Sequence, residues 1–150
     1  MTEVWFYHLE TKTLDQVLPE LLERSLSRQW RAVIRVGSRE RLEALDTYLW
    51  TYRDDSFLPH GATPDAQAER QPILLTLDAS APNRADILFL VDGAEAFDLG
   101  AFKRCVDLFD GRDPAAVEAA RERWRTMQKA GHEVTYWRQS ESGKWEKRAG

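Results

Sequence analysis

The chain has 150 residues, with 21 Lys and Arg, 25 Asp and Glu, three His, one Cys and 43% hydrophobic residues. That length fits one domain of ordinary size, able to bury a core without covalent staples. Six Trp, six Phe and four Tyr exclude a solvated coil, the single Cys105 excludes a disulfide scaffold, and no apolar run approaches the roughly 20 residues of a membrane span.

The elements follow in order. Glu3 to Leu9 is short and aromatic and reads as a buried strand. Thr13 to Trp30 has helical spacing at Leu14, Val17, Leu18, Leu21, Leu22 and Leu26, with Pro19 predicting an irregular first turn or a later start. Arg31 to Val36 is a second strand ended by Gly37. Ser38 then caps a helix that runs to about Trp50. Two strand–helix units in succession predict a parallel sheet with crossover helices. Residues 51–71 are polar and read as a long loop of the kind that often carries function. Pro72–Leu77 and the nearly continuous apolar run Ala85–Val91 are strands, the latter suited to a central position. Residues 93–100 form a turn with a short helical piece. Phe102–Phe109 reads as a strand, with a helix start as the alternative. Asp113-Pro114 opens a helix that Gly131 closes. Glu133–Arg138 is the last strand. The domain spans 1–138, and 139–150 reads as a polar, flexible tail.

The charge is uneven. Residues 1–120 carry 13 basic and 21 acidic side chains, and residues 121–150 carry eight and four. An acidic body disfavours direct contact with nucleic acid, whereas a basic carboxyl-terminal part suits a small acidic ligand or peptide, or is a solvated face. The amino terminus has Glu3 and no basic stretch before its apolar residues, so it does not read as a secretory signal, and a cytoplasmic location is expected.

The usual nucleotide chemistry of such folds is missing. No glycine-rich phosphate loop occurs, and the turn Glu10-Thr11-Lys12 after the first strand has no glycine. His8, His60, His132 and Cys105 give no paired metal spacing, so no metal and no cofactor are expected. Cys105 lies in an apolar strand pattern and reads as a small buried hydrophobe. A nucleotide- or metal-binding enzyme would need acids such as Asp86, Asp107 or Asp110 to converge at the strand carboxyl ends.

Two constellations remain. Trp50 precedes Ser56-Phe57-Leu58-Pro59-His60, where an apolar tripeptide either pins its own loop or presents an anchor to a partner. On the last helix, Arg121, Arg125 and Lys129 recur every four residues beside Trp124. Arg can fork onto a carboxylate while the aromatic ring takes an apolar side chain. The plain alternative is a core Trp with solvated arginines.

These pieces, in this order, resemble the chi subunit of bacterial DNA polymerase III holoenzyme. The resemblance covers roughly residues 3–137. It rests on Phe6-Tyr7, Trp30, Leu45-Asp46 with Leu49-Trp50, the Ser56–His60 motif, Asp86-Ile87-Leu88, Val106-Asp107 and Ala120-Arg121-Glu122-Arg123-Trp124. It implies a Rossmann-like domain without the phosphate loop and a non-catalytic accessory protein of the clamp loader. It implies that the protein bridges the replisome to the acidic C-terminal tail of single-stranded DNA-binding protein. Carried over by position, Arg121, Trp124 and Arg125 hold that tail. Val117 stands where the family has a further basic residue, which implies either weaker tail binding or a contact shifted toward Lys129. Trp50, Phe57, Leu58, Pro59 and His60 form the face for the psi subunit, or for another clamp-loader or helicase protein. A monomer outside its complex is expected.

Overall fold

The computed structural model describes residues 2–10, 12–51, 60–62, 71–79, 81, 83–97, 99–139 and 145–149, with the backbone alone at 50, 51, 61, 62, 148 and 149. The strands are β1 (Glu3–Leu9), β2 (Ala32–Arg35), β3 (His60–Ala62), β4 (Ile73–Thr76), β5 (Ile87–Val91), β6 (Arg104–Asp110), β7 (Glu133–Gln139) and β8 (Trp145–Ala149). The helices are α1 (Leu14–Ser27), α2 (Arg39–Thr51) and α3 (Pro114–Lys129), with a short 3-10 turn at Leu99–Ala101. One sheet carries the strands in the order β3-β4-β2-β5-β6-β1-β7-β8. Every pairing is parallel except β7 with β8. The fold is therefore α/β with a mostly parallel sheet flanked by helices.

Alternation along each strand sends side chains to opposite faces. Tyr7, Ile34, Leu75, Phe89 and Leu108 pack with Leu18 and Leu22 of α1 and with Leu42, Leu45 and Leu49 of α2. Val4, Phe6, Leu88, Cys105, Phe109 and Val134 form the other core, with Ala120 of α3 and Phe102. α1 and α2 thus cover one face, while α3 and the segment around residues 94–102 cover the other.

The helix ends obey the local chemistry. Thr13 and Gln16 make a capping box at α1. Ser38 Oγ accepts from the Arg41 amide at α2, and Asp113 accepts from the Ala115 amide at α3. At α3 the chain leaves through Gly131 at φ 87°, with the His132 amide bonded to the Met127 carbonyl. α1 ends by the same device without a glycine. Gln29 takes φ 64°, its amide bonds Leu26 and the Trp30 amide bonds Ser25.

Three elements differ from the sequence reading. Pro19 sits inside α1 rather than at its start; it is buried, and the helix continues around it. Residues 60–62, read within a loop, form β3 beside β4. Trp145–Ala149, read within the polar tail, form β8, because Trp145 stacks on Tyr7 at 4.6 Å and gives this polar strand an apolar anchor. The strand alternative holds for residues 104–110.

Candidate functional site

α3 is built as an amphipathic bar over β6, β1 and β7. Ala120 is fully buried, and Val117, Trp124 and Met127 pack partly buried beside it. At roughly 100° per residue this stripe leaves Arg121, Arg125 and Lys129 on one outer edge, and all three are exposed. Val117 points into the sheet packing, so the position where the family resemblance expects a cation contributes apolar surface instead. Trp124 is half-buried, with its ring 6.1 Å from Phe6 and 5.6 Å from Tyr136. It therefore belongs to the core edge and to the surface at once.

The middle arginine of the Arg121–Arg125 run turns inward. Arg123 grips the buried Asp107 of β6 with both ends of its guanidinium, Nε–Oδ2 2.6 Å and Nη2–Oδ1 3.0 Å. Burial pushes the Asp107 carboxyl above its usual range, and the Arg123 hydrogen bonds and charge oppose that rise. The pair pins the middle of α3 to the sheet and fixes the rotation that sets Arg121 and Arg125 outward. Arg125 is paired with Glu122 three residues earlier. Arg121 and Lys129 make no ion pair among the described residues.

Beside this edge stand residues that the sequence reading did not single out. Tyr136 of β7 lies in edge contact with Trp124, and its hydroxyl is 2.5 Å from Nδ1 of the buried His8. Burial raises the Tyr136 hydroxyl pKa, and the nearby Arg121 and Arg138 charges lower it. Arg138 forks onto Glu10, whose other neighbour is His8 Nε2 at 3.1 Å. Burial lowers the His8 pKa, while Glu10 works against that. The alternation of Val134 and Tyr136 was the available signal, since it places Tyr136 on the α3 face.

The other sequence candidates are less joined. Trp50 lies in the last turn of α2, and Phe57, Leu58 and Pro59 lie outside the described residues. His60 is 4% exposed, with Nε2 3.0 Å from the Asp46 carbonyl and 3.1 Å from its carboxylate. It ties β3 to α2. Cys105 is fully buried, and burial raises its thiol pKa strongly.

The acids of the enzyme alternative do not converge. Asp86 sits at the amino end of β5, accepting from the Arg31 amide and facing Lys103. Asp107 is tied to Arg123, and Asp110 and Asp113 lie at the opposite, carboxyl end. There a cavity of about 590 Å³ opens between β1, which leads to α1, and β6, which leads to α3. Its charges are occupied internally: Arg41 bridges Asp15 and Asp92, and Asp113 caps α3. Among the described residues no three His, Cys, Asp or Glu are grouped to hold a metal ion.

Residues 1–135 match the family described as DNA polymerase III chi subunit, HolC. The chain belongs to the DNA polymerase III chi subunit family. It is 27% identical over 109 residues to a probable DNA polymerase III subunit chi of Rickettsia prowazekii, covering 73% of this chain and 66% of that one. It is 29% identical over 137 residues to the DNA polymerase III subunit chi of Pseudomonas aeruginosa, covering 88% and 93%. Membership places this chi-family chain among the subunits of DNA polymerase III, in DNA replication. No helix among its described residues is long and apolar enough to cross a membrane.

Proposed function

We propose that this protein is a non-catalytic accessory subunit of the polymerase III clamp loader that bridges the replisome to single-stranded DNA-binding protein. It captures that protein's acidic C-terminal tail on the outer edge of α3. The supporting observation is the juxtaposition on one rigid helix of two exposed arginines, Arg121 and Arg125, with the half-buried ring of Trp124 beside them. Arg121 takes the terminal carboxylate, Trp124 and Tyr136 give an apolar wall to the last side chain, and Arg125 and Lys129 face the preceding acids. Arg125 must exchange its Glu122 partner for the ligand, so its net contribution is smaller than that of Arg121. Tail contacts of this kind are individually weak, screened by salt and strengthened when the partner is an oligomer with several tails.

We also propose a second partner surface, made by Trp50, Phe57, Leu58, Pro59 and His60. We assign it to psi or to another clamp-loader or helicase protein. The protein acts in the cytoplasm and is a monomer outside its complex. The test is binding of immobilised single-stranded DNA-binding protein, whole and lacking its last ten or so residues. Binding only to the whole partner supports the bridge. Equal binding to both removes tail capture.

A further inference from the structure

We infer that the α3 edge carries a proton-linked donor: the Tyr136 hydroxyl, engaged by the neutral His8 ring, turns to a bound carboxylate when His8 takes up a proton. This concerns the regulation of tail capture and rests on that reading. Its consequence is that affinity for an acidic tail rises as the pH falls.

His8 and Tyr136 stand on paired strands. Tyr136 sits opposite Phe6, two residues before His8 on the same sheet face, so the two side chains meet on the diagonal. The His8 ring is buried, with its centre 5.2 Å from that of Phe109 and 5.9 Å from that of Tyr136. Its Nδ1 is 2.5 Å from the Tyr136 hydroxyl, and its Nε2 is 3.1 Å from the Glu10 carboxylate. The donor inventory fixes the direction of both contacts. A carboxylate only accepts, so in the neutral ring Nε2 carries the hydrogen, facing Glu10. Nδ1 is then a lone pair, and Tyr136 donates to it. One proton reverses that bond. The imidazolium donates from both nitrogens, the Tyr136 oxygen accepts from Nδ1, and the hydroxyl hydrogen is released to another acceptor.

The α3 edge supplies that acceptor when it is loaded. Tyr136 is half-buried, its ring centre lies 5.6 Å from that of Trp124, and the Arg121 charge reaches its hydroxyl. A carboxylate held by Arg121 beside Trp124 gains the released O–H as a second donor, with a positive charge behind it.

The surroundings balance the two forms of His8. Glu10 faces it from β1, and Tyr136 and Arg138 from β7. β6 offers the Phe109 ring, the following turn offers the Gly111 backbone, and α3 brings Arg121 to Tyr136. Burial and the Arg138 charge favour the neutral ring, whereas Glu10 and Gly111 favour the charged one. Arg138 also holds Glu10, at 2.7 and 3.0 Å, which keeps the carboxylate in place beside Nε2. A ligand carboxylate adds to the side of the charged ring. By reciprocity, what protonation gives to ligand affinity the ligand gives to protonation.

The test is fluorescence polarisation of rhodamine-labelled Gly-Asp-Asp-Asp-Phe with the full chain, from about pH 7.5 to about pH 5.5, where the peptide carboxylates stay ionised. The unmodified chain should bind about fivefold tighter or more at the acid end, as expected for a charge-assisted hydrogen bond. His8→Gln should abolish the gain, and Tyr136→Phe, which keeps the ring, should remove most of it. His132→Gln, at the imidazole that follows α3, should retain it. Nuclear magnetic resonance of the His8 ring should show its pKa rising when peptide is added to the unmodified chain and unmoved by peptide in Arg121→Ala. An Arg121-dependent affinity that is flat with pH, or a gain undiminished in His8→Gln or Tyr136→Phe, would overturn the inference and leave tail capture standing. Absent binding, or binding indifferent to Arg121→Ala, would overturn both.

Discussion

Replacing Arg123 by Ala removes the charge that pairs with the Asp107 carboxylate. Asp107 is 2% exposed and lies mid-strand in β6. Breaking a buried pair from one side costs about 3–5 kcal/mol, because the partner's charge is left uncompensated. The carboxylate has one escape, which is to take up a proton. For an ordinary carboxyl titrating near 3.8, that costs roughly 4 kcal/mol at pH 7 and roughly 1.6 kcal/mol at pH 5. The loss in Arg123→Ala is therefore capped by a term that shrinks by about 1.4 kcal/mol for each pH unit of acidification. Asp107→Asn should cost less at pH 7, because the Arg123 side chain is 19% exposed and can turn toward solvent. Urea unfolding of the three proteins at pH 7, 6 and 5 measures this. The expected result is a penalty of about 3–4 kcal/mol for Arg123→Ala at pH 7 that falls steadily toward pH 5. A penalty under about 1 kcal/mol at pH 7, or one independent of pH, would refute a buried, charged Asp107 held by Arg123.

Other expectations concern stability and pH. A Cβ at Gly111 would fall 2.0 Å from the His8 ring and 2.7 Å from the Leu9 carbonyl, so Gly111→Ala should cost about 1–3 kcal/mol in the same assay. His8 has a folded pKa below 6.5, so the unfolded chain binds the extra proton. Its contribution is intact above pH 6.5 and is lost as the pH falls through the folded value, which His8→Phe should remove from a pH–stability curve. Gln29→Gly relieves a left-handed φ and should raise stability by about 1 kcal/mol in urea unfolding. Trp145→Ala removes the ring stacked on Tyr7 and should cost about 1–3 kcal/mol, with loss of amide protection along β8 in hydrogen exchange.

Much of the architecture could be read from local signals. β1 came from seven apolar-rich residues, and α3 from Asp113-Pro114 at one end and Gly131 at the other. Each of these acts within a few residues of itself. β8 could not be read that way, since its composition is polar and its stabilising contact, Trp145 on Tyr7, spans the whole chain. Pro19 misled for a related reason: its local cost is outweighed by the burial of Val17, Leu18 and Leu22 around it.

At the site, the stripe Arg121, Arg125 and Lys129 followed from helical spacing. The role of Arg123 did not, because its partner Asp107 lies on another element and a charged residue in mid-strand gives no hint of what it meets. Tyr136 meets His8 through the pairing of β1 with β7, and it meets Trp124 of α3; both are long-range contacts that no local signal announces.

The most direct test of tail capture is fluorescence polarisation of a labelled acidic peptide ending in Asp-Phe, at low and physiological salt. It should be run with the unmodified chain and Arg121→Ala. The account predicts saturable binding that weakens with salt. It predicts a loss of roughly tenfold or more in Arg121→Ala, as expected for a charge-assisted contact to a carboxylate. Full-strength binding in Arg121→Ala, or no binding to the unmodified chain at low salt, would contradict it.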